Sequence, residues 1–383
     1  MIKEILKKII DNIIYLESFF VTVKKDSKKK KLLILRKDML GDILMFYPTL
    51  KTYRDKYTNY NITLILNDSF QSLSPLLSDF ENIIWFNHNK YRNNFFYRRS
   101  FLLNLKRAGY NTAIYPAFSR EPAGNFMMKI SKAENIIGCD GDTVLLSKEE
   151  KIKTNKLYTK LITVPNEITH DLHRNKYIVE QITGQVCSVN FPTVDIKKLT
   201  NEKAEHIVKQ NNLSNNNFAI MFPGAGGAYR MWPIENFSKV ADYLIKKNTT
   251  PIICGSFKEN YLALKLISLS ENPKKIINLC GQTDLPTMAH LLAKSQVYVG
   301  NDTGIAHLSL AVNTETAVLL GGGHFGRFFP YLNNPKCHII YDKNMTCKND
   351  NWKCVKDFKA NIPAPCIKNI TVSEAISEIN NII

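Results

Sequence analysis

Asp42 is the first residue whose type and position suit catalysis. It follows Gly41, where the apolar run 32–35 gives way to a helical pattern. An aspartate at a helix start commonly caps the helix. It can equally face a cleft and act as a general base that removes a proton from a hydroxyl, and the helix start favours its ionised form. This segment alone leaves both interpretations open.

A glycine-rich segment, MFPGAGGAYRMWP, follows a strand-like run in the second half of the chain. Gly224, Gly226 and Gly227 let the backbone approach a ligand closely, and Arg230 lies just before the next helix. An arginine beside such a loop can bind a phosphate. The spacing is neither the dinucleotide-binding fingerprint nor a Walker loop. The segment therefore predicts a phosphate site or, alternatively, an ordinary glycine loop with a surface arginine.

A third segment, VYVGNDTGIAHLSLA at 297–311, reads as a buried strand, a polar turn and a helix. Backbone N–H groups at Thr303 and Gly304 would point at an anion, with the threonine hydroxyl as a further donor. Asp302 is expected to cap the helix or to orient a partner. His307, one turn into the helix, either faces the ligand or belongs to the core.

Together, these three segments suit one reaction. A helix start and Arg230 would hold a diphosphate, and Asp42 would lie across a cleft from them. Such a site would transfer a group away from a diphosphate leaving group, because the base activates the incoming hydroxyl while fixed dipoles and a cation stabilise the departing charge.

Elements that could position these residues alternate along the chain as short β-rich runs and helical patterns. This alternation is typical of parallel sheets with helices on both faces, where ligands bind beyond the carboxyl ends of the strands. One clear helix is expected at 170–182 and a loop at 211–217. The predicted strands are 32–35, 62–66, 83–86, 112–116, 135–139, 218–224, 250–255, 275–281, 296–300 and 316–322.

Length and pattern predict two domains with a central cleft. We expect an amphipathic helix and basic linker at 1–31 and a Rossmann-like acceptor domain at 32–205. A Rossmann-like nucleotide-sugar domain would follow at 206–370, and a C-terminal helix at 371–383 would pack back across the pair.

A hydrophobic content of 44% is typical of a folded protein. The net charge of the chain is +17. The excess of Lys and Arg serves either solubility alone or binding to an anionic substrate, a nucleic acid or an anionic membrane surface. The first helix and its basic cluster, Lys24, Lys25 and Lys28 to Lys31, suit a membrane surface, or the helix packs on the protein's own core. Neither a signal peptide nor an 18-residue apolar run is visible, so we expect a cytoplasmic protein with possible peripheral contact at the inner face of the cytoplasmic membrane.

Four segments resemble glycosyltransferase family 9, the heptosyltransferases of lipopolysaccharide synthesis, over about residues 32–331. They are RKDMLGDILMFYPTLK, MFPGAGGAYRMWPIENFSKVADYL, INLCGQTDLPTMAHLLAKSQVYVGNDTGIAHLSLA and LLGGGHFGRFFPY. The resemblance implies a GT-B fold and an inverting, metal-independent enzyme. Its donor would be a nucleotide sugar, typically ADP-heptose, and its acceptor a glycolipid of the lipopolysaccharide or lipooligosaccharide core.

The resemblance also implies roles for individual residues. Asp42 would be the base and Arg230 would bind the diphosphate. The other implied donor contacts are Gly224, Gly226, Asp302, Thr303, Gly304 and His307, with Ser256, Glu259 and His324 as further candidates. The segments 118–121 and 169–175 resemble acceptor-side segments, which makes Arg120, His170 and Arg174 acceptor candidates.

Two departures from the family pattern leave alternatives open. The turn GGGHFGR replaces the common GPTDP turn, which leaves open another nucleotide sugar, or a capsule or protein acceptor. Some family members carry a cysteine-rich iron site near the C-terminus. A metal site in this chain would use Cys347, Asp350, Cys354 and Cys366. We expect these cysteines to be free thiols and the enzyme to require no metal.

Two further features of the sequence bear on function. Asp140 and Asp142 form a D-x-D pattern, which we interpret as a turn; metal–nucleotide binding is the alternative. A non-enzymatic basic binding protein would not need both Asp42 and Arg230. The chain also lacks a basic motif interleaved with aromatic residues, so no nucleic-acid partner is expected.

Overall fold

Two parallel six-stranded sheets form the framework of the protein. The computed structural model describes residues 2–23, 29–214, 217–353 and 361–383, with the side chains of the first helix from residue 9 onward. The first sheet contains β1 (Lys30–Arg36), β2 (Tyr60–Asn67), β3 (Asn82–Phe86), β4 (Thr112–Tyr115), β5 (Asn135–Cys139) and β6 (Lys160–Ile162). The second contains β7 (Phe218–Phe222), β8 (Thr250–Ile253), β9 (Ile277–Asn278), β10 (Val297–Asn301), β11 (Thr316–Leu319) and β12 (Cys337–Ile340).

Both sheets have the same topology. The strand orders are β3-β2-β1-β4-β5-β6 and β12-β11-β10-β7-β8-β9. Chain order therefore reverses between β1 and β4 in one sheet and between β7 and β10 in the other. Loops that leave neighbouring strands at such a point diverge and open a crevice, so the ligand site is expected at these carboxyl ends.

The edge strands β6 and β12 were not predicted from the sequence. They have three and four residues, and their burial is partial except at the last residue of each. Central strands such as β1 read as continuous apolar runs, because both faces of a parallel sheet are covered. A short edge strand offers no such run, which explains the omission.

Fifteen helices are described in the covered residues. They are α1 (Ile2–Glu17), α2 (Leu40–Phe46), α3 (Leu50–Lys56), α4 (His88–Asn93), α5 (Phe95–Ala108), α6 (Pro122–Ser131), α7 (Lys148–Asn155), α8 (Asp171–Thr183), α9 (Glu202–Gln210), α10 (Ile234–Lys246), α11 (Asn260–Leu269), α12 (Leu285–Lys294), α13 (Gly304–Ala311), α14 (Pro365–Lys368) and α15 (Val372–Asn380). Helix α8 matches the predicted helix 170–182 within one residue. It ends at Gly184, whose φ of 69° is a left-handed conformation that favours glycine. None of the described helices has the length and apolar character that a membrane crossing needs.

Helices α2 and α13 join the two sheets. Each follows a central strand, α2 after β1 and α13 after β10, and the two helices pack against each other. The buried apolar cluster runs from Leu32 and Leu44 on one side to Ala306 and Leu308 on the other. One continuous apolar core thus holds together the carboxyl ends of the two central strands, β1 and β10.

The terminal helices pack on different halves. One face of α1 lies on α5, through buried Ile14 and the ion pairs Asp11–Arg98 and Glu17–Arg99. Lys24, Lys25 and Lys28 of the predicted basic cluster lie outside the described residues. Helix α15 packs mainly on α10 and β12 of the second sheet, whereas the sequence predicted a return across both halves.

Candidate active site

The turn between β1 and α2 presents Asp42 in the first turn of the helix. The Asp42 side chain is partly buried, and the Arg36 guanidinium donates to its backbone carbonyl at 3.4 Å. Arg36 also pairs with Asp38, Nε to carboxylate at 2.9 Å. No side-chain cap is made at the start of α2, where the N-cap residue is Met39. Asp42 is therefore placed as a cleft-facing carboxylate rather than as the cap.

The environment raises the pKa of Asp42 to about 7. Burial is the largest cause, the neighbouring carboxylate of Asp38 adds to it, and the Arg36 guanidinium opposes it. Asp171 raises and Arg327 lowers the pKa to a smaller extent. The sequence interpretation expected the helix start to keep this group ionised; burial and like charge outweigh the helix start here. A carboxylate with a pKa near 7 is well matched to accept a proton at neutral pH.

The turn between β10 and α13 pairs Asp302 with Arg230. The Arg230 guanidinium donates to the Asp302 carbonyl at 2.7 Å and to its carboxylate at 3.1 Å. Thr303, not Asp302, occupies the N-cap position, and Gly304 begins the helix. Of the two roles foreseen for Asp302, orienting a partner is the one observed. The first N–H groups of α13 and the arginine thus lie together, as an anion site requires.

The glycine loop after β7 is anchored to the end of β10 by Asn301. The Asn301 side-chain amide donates to the Pro223 carbonyl at 2.7 Å, and the Asn301 Oδ1 accepts from the Trp232 N–H at 3.0 Å. The Glu259 carboxylate covers Gly224, where any Cβ would overlap it. At Gly226 a Cβ would lie 3.7 Å from an Arg230 guanidinium nitrogen. The loop is therefore fixed, with its Gly226 end open beside Arg230.

Ser256 and Glu259 form a capping box at the end of β8. One Glu259 oxygen accepts from both the N–H and the hydroxyl of Ser256, each at 2.7 Å. Neither side chain lines the two cleft cavities described below. Glu259 contacts Gly224 of the glycine loop, which does not line these cavities either.

Two glycines bring α2 and α13 into direct contact. A Cβ on Gly41 would lie 2.7 Å from Cδ2 of His307, and one on Gly304 would lie 2.6 Å from Cβ of Leu40. Both distances are shorter than real Cβ contacts. The two helix starts can therefore approach this closely only because each has a glycine there.

Two neutral histidines line the cleft. Burial lowers the pKa of His307 to about 3, and its Nδ1 lies 2.8 Å from the Tyr331 hydroxyl while its ring stacks on Phe329 at 4.4 Å. Burial likewise lowers the pKa of His324 to about 4. His324 packs edge-on to Phe328 at 4.9 Å. At neutral pH both rings offer one donor and one acceptor and no charge.

Two adjacent cavities meet at Asp42. One, of about 390 Å³, lies toward the second sheet, and the other, of about 320 Å³, lies toward the first. The first is lined by Gly41, Met45, Gly226, Arg230, Asp302, Thr303, Gly304 and His307, and the second by residues that include Arg36, Lys37, Asp38, Ser119, Glu121, Asp171 and Arg327. Met39, Asp42, His324 and Phe328 line both. Asp42 is thus the carboxylate shared by the two compartments.

Arg327 joins the halves on the first-sheet side and was not assigned a role from the sequence. Its guanidinium donates to Ser119 at 2.8 Å and pairs with the carboxylates of Asp171 at 3.4 Å and Asp142 at 3.5 Å. Arg36, Lys37 and Asp38 were also missed. The segment LRKD at the carboxyl end of β1 was the available signal, because polar residues at that end face the crevice.

The three acceptor candidates do not line either cleft cavity. Arg120 is buried and bonded to Asn125 and Asn155. Arg174 donates to the Asp171 carboxylate at 2.8 Å, and its guanidinium lies 3.8 Å from the centre of the Phe118 ring. Arg174 therefore holds Asp171 in place. His170 is the N-cap of α8 and lines a separate cavity of about 460 Å³. The family resemblance implied acceptor roles for all three, whereas Arg120 and Arg174 bind protein partners and His170 lines a cavity separate from the two cleft cavities.

The cysteine segment and the D-x-D pattern show no metal arrangement in the described residues, where no group of three or more potential ligands is found. The Cys366 sulfur accepts from the Gly322 N–H at 3.4 Å, and Asp350 accepts from the Trp352 N–H at 2.9 Å. Cys347 lies against Gly322, and Cys354 is outside the described residues.

Asp140 and Asp142 flank Gly141, whose φ of 60° is left-handed, in the irregular segment that follows β5. Asp140 pairs with Lys151 at 3.1 Å, and Asp142 accepts from Ser119 at 2.7 Å. Both carboxylates are thus engaged with protein groups.

Comparison with known sequences gives a family match over more than half of the chain. The family model described as glycosyltransferase family 9 (heptosyltransferase) matches residues 127–356 of the 383. Lipooligosaccharide heptosyltransferase 2 of Haemophilus ducreyi is 32% identical over 130 residues, which cover 33% of this chain and 37% of that protein. Lipopolysaccharide heptosyltransferase 3 of Escherichia coli K12 is 22% identical over 308 residues, which cover 77% and 83%. The chain spans less than half the length of the first of these and of two Campylobacter jejuni relatives.

Comparison with solved structures confirms the predicted GT-B fold. A glycosyl transferase family 9 protein from Veillonella parvula has a TM-score of 0.71 at 16% identity, covering 92% of this chain and 97% of that one. E. coli heptosyltransferase WaaC with ADP-2-deoxy-2-fluoro heptose has a TM-score of 0.66 at 16% identity, covering 92% and 99%. At these identities the likeness concerns the fold alone.

Proposed function

The chain belongs to glycosyltransferase family 9, the heptosyltransferases, and from that premise we propose that it transfers a heptose from ADP-heptose to a lipopolysaccharide or lipooligosaccharide core acceptor. One observation carries the proposal. Asp42, with a pKa raised to about 7, lies on the wall shared by an anion-binding cavity and a second cavity. A base between donor and acceptor compartments is what a single displacement at a sugar carbon requires.

The donor occupies the cavity toward the second sheet. The N–H groups at the start of α13 and the Arg230 guanidinium bind the diphosphate, with Asp302 holding Arg230 in place. Gly226 leaves room for the nucleotide beside Arg230. In domain terms, residues 206–370 bind the nucleotide sugar and residues 32–205 bind the acceptor.

The acceptor hydroxyl occupies the cavity toward the first sheet. Arg36, Lys37 and Arg327 line this cavity together with the carboxylates with which they pair, so it offers both hydrogen-bond donors and acceptors to the hydroxyl groups of a sugar acceptor. His324, which is uncharged at neutral pH, lies between the two compartments and can hydrogen-bond a sugar hydroxyl.

The chemical step is a direct displacement. The Asp42 carboxylate removes the acceptor's hydroxyl proton as that oxygen forms a bond to the anomeric carbon. The bond from this carbon to the diphosphate oxygen breaks, and the diphosphate leaves with the electron pair. Attack from the face opposite the leaving group inverts the anomeric configuration. The reaction yields the new glycoside, ADP and a proton on Asp42.

Protein groups supply the counter-charge for the leaving diphosphate in this proposal. The helix start of α13 and Arg230 bear partial and full positive charge at the place where negative charge develops. We accordingly expect full turnover in the presence of EDTA. A requirement for added divalent metal would contradict the metal-independent form of the proposal.

The test is a ligand panel followed by a transfer assay. ADP-heptose should raise the melting temperature more than ADP-glucose, UDP-glucose or GDP-mannose does, because a ligand that binds only the folded state stabilises it. The enzyme should then release ADP when a heptose-deficient core glycolipid is added. Transfer from another nucleotide sugar but not from ADP-heptose would overturn the donor assignment. ADP-heptose binding with no transfer to any core glycolipid would overturn the acceptor assignment.

A further inference from the structure

The outer face of α1 carries an exposed apolar stripe. Ile9, Ile13, Leu16 and Phe20 follow one another at intervals of four, three and four residues and are between 49% and 88% exposed. This spacing places all four on one side of the helix and its 3₁₀ continuation at Ser18–Phe20. We call these four residues the N-terminal stripe. Single exposed apolar residues are ordinary on a protein surface, but an aligned row of four is a contiguous patch.

The opposite face of α1 is fixed to the protein. Ile14 is fully buried, and the ion pairs Asp11–Arg98 and Glu17–Arg99 attach the helix to α5. Ser18 is buried as well and donates to the Tyr15 carbonyl at 2.6 Å. The helix cannot rotate to bury the N-terminal stripe without breaking these contacts. The stripe is therefore held outward by the structure itself.

Two lysines flank the stripe, Lys129 in the last turn of α6 and Lys132 directly after that helix. The Lys129 and Lys132 ammonium groups lie 3.8 and 4.5 Å from the centre of the Tyr15 ring, and Lys132 also lies 4.6 Å from that of Phe19. Lys132 donates to the Tyr15 hydroxyl at 2.8 Å. Glu17, the acidic residue nearest along the helix, is paired with Arg99. The flank of the stripe thus combines aromatic rings with positive charge.

The helix beneath α1 extends the apolar surface. Helix α5 begins with Phe95 and Phe96, which are both exposed, and their rings are in edge-on contact at 5.5 Å. Phe96 lies one turn before Arg99, the residue that binds Glu17 of α1. Exposed aromatic rings beside cations are typical of a surface that meets the headgroup layer of a bilayer.

We propose that the N-terminal stripe, with Lys129 and Lys132, docks this protein on the surface of a bilayer that contains anionic lipids. Apolar side chains enter the boundary between headgroups and acyl chains, and the lysines meet the lipid phosphates. Charge complementarity favours this occupant, since the chain carries a net charge of +17. The docking surface itself is argued from the structure alone. Its biological role rests on the proposed function, because an enzyme docked on a bilayer meets a lipid-linked acceptor in two dimensions.

Vesicle co-sedimentation of the full chain tests the proposal without substrate. The wild-type protein should bind vesicles of phosphatidylcholine with about one third phosphatidylglycerol, and bind phosphatidylcholine alone at least about tenfold more weakly. Ile13→Glu with Leu16→Glu should weaken binding to the anionic vesicles at least about tenfold. Phe20→Gln, at the most exposed position of the stripe, should produce a smaller loss. Lys129→Gln with Lys132→Gln should reduce binding chiefly at low salt.

The matched control is on α11. Leu264 and Leu269 are 57% and 47% exposed, close to Ile13 and Leu16, but belong to the second half of the molecule. Leu264→Glu with Leu269→Glu should leave vesicle binding unchanged. An equal loss in this control, or wild-type binding by the Ile13→Glu, Leu16→Glu protein with an unaltered melting temperature, would overturn the proposal.

Two further measurements separate this proposal from others. Sedimentation velocity reports self-association: a wild-type dimer that becomes monomeric in the stripe variant, with no vesicle binding by either, would make the stripe an interface between copies and overturn membrane docking. Transfer to a deacylated, water-soluble core oligosaccharide should be equal in wild type and stripe variant. Absence of that transfer in both proteins, with vesicle binding intact, would count against the proposed function and leave the docking surface in place.

Discussion

The turns after β1 and β10 are the same structural element with opposite electrostatics. Each leads from a buried central strand into a helix, and each carries an aspartate near the helix start. Asp302 accepts from Arg230 and so has a cation beside it. Asp42 is buried near Asp38, so its pKa rises to about 7. The fold therefore sets the place of each carboxylate, while its neighbours decide whether it pairs with a cation or has a raised pKa.

The largest expected effect comes from removing the carboxylate of the first turn. Asp42→Asn should lower kcat/KM by about 10³-fold, because the acceptor hydroxyl loses its base. Donor affinity, measured by calorimetry, should change by less than about twofold, since the diphosphate groups lie on the second turn. Asp38→Asn is the comparison: it leaves the base in place and should lower the pKa of Asp42, so turnover at neutral pH should fall far less than in Asp42→Asn. Wild-type turnover in Asp42→Asn would dismiss Asp42 as the base.

Removal of the cation from the second turn should give the next largest effect. Arg230→Ala should weaken ADP-heptose binding by about 10- to 100-fold, because charge-assisted hydrogen bonds to the diphosphate are lost. Arg230→Lys should recover part of the affinity. Asp302→Asn retains the backbone contact of Arg230 and should cost less than Arg230→Ala. Equal donor affinity in wild type and Arg230→Ala would remove this residue from the diphosphate site.

The pH dependence of activity and of stability should report the raised pKa of Asp42. The proposed mechanism requires ionised Asp42, so log kcat/KM should rise by about one per pH unit up to about pH 7 and then level off. The same raised pKa means that the folded state binds the proton more tightly than the unfolded state between about pH 4 and pH 7, so this group's contribution to stability falls as pH rises through that range. Asp42→Asn should therefore raise Tm at pH 8 by about 3 °C and much less at pH 4. A Tm difference that does not change with pH would contradict the raised pKa.

The smallest effect should come from the charges around Asp42. Asp171 raises and Arg327 lowers the pKa of Asp42, so their neutral variants should shift the activity profile in opposite directions. Arg327→Gln should move the midpoint to higher pH and Asp171→Asn to lower pH, each by a few tenths of a unit. Midpoints that move in the same direction would indicate a structural effect of the Arg327–Asp171 pair in place of an electrostatic one.

Local pattern was sufficient to predict that several candidate site residues meet at one cavity. Asp42, Arg230, Thr303 and Gly304 line one cavity, because each follows a central strand whose apolar run is unmistakable and because strand ends converge in a parallel sheet. Helix α8 was likewise evident from its periodicity.

Residues whose role depends on distant partners could not be predicted in this way. Arg120 and Arg174 looked available for a ligand, but Asn125, Asn155 and Asp171 bind them inside the protein. Nothing in the sequence around Arg327 indicates its partner Ser119, which lies more than 200 positions earlier. The pKa of Asp42 depends on burial, which no local pattern contains.

The contact between α2 and α13 also bears on how the molecule unfolds. A buried apolar cluster extends from Leu44 to Leu308, and Gly41 and Gly304 let the two helices pack closely, each against a side chain of the other helix. Neither sheet can lose its covering helix at this point without exposing the apolar surface of the other. The two lobes should accordingly melt together, as one endotherm in scanning calorimetry, even though each has the topology of an independent Rossmann unit.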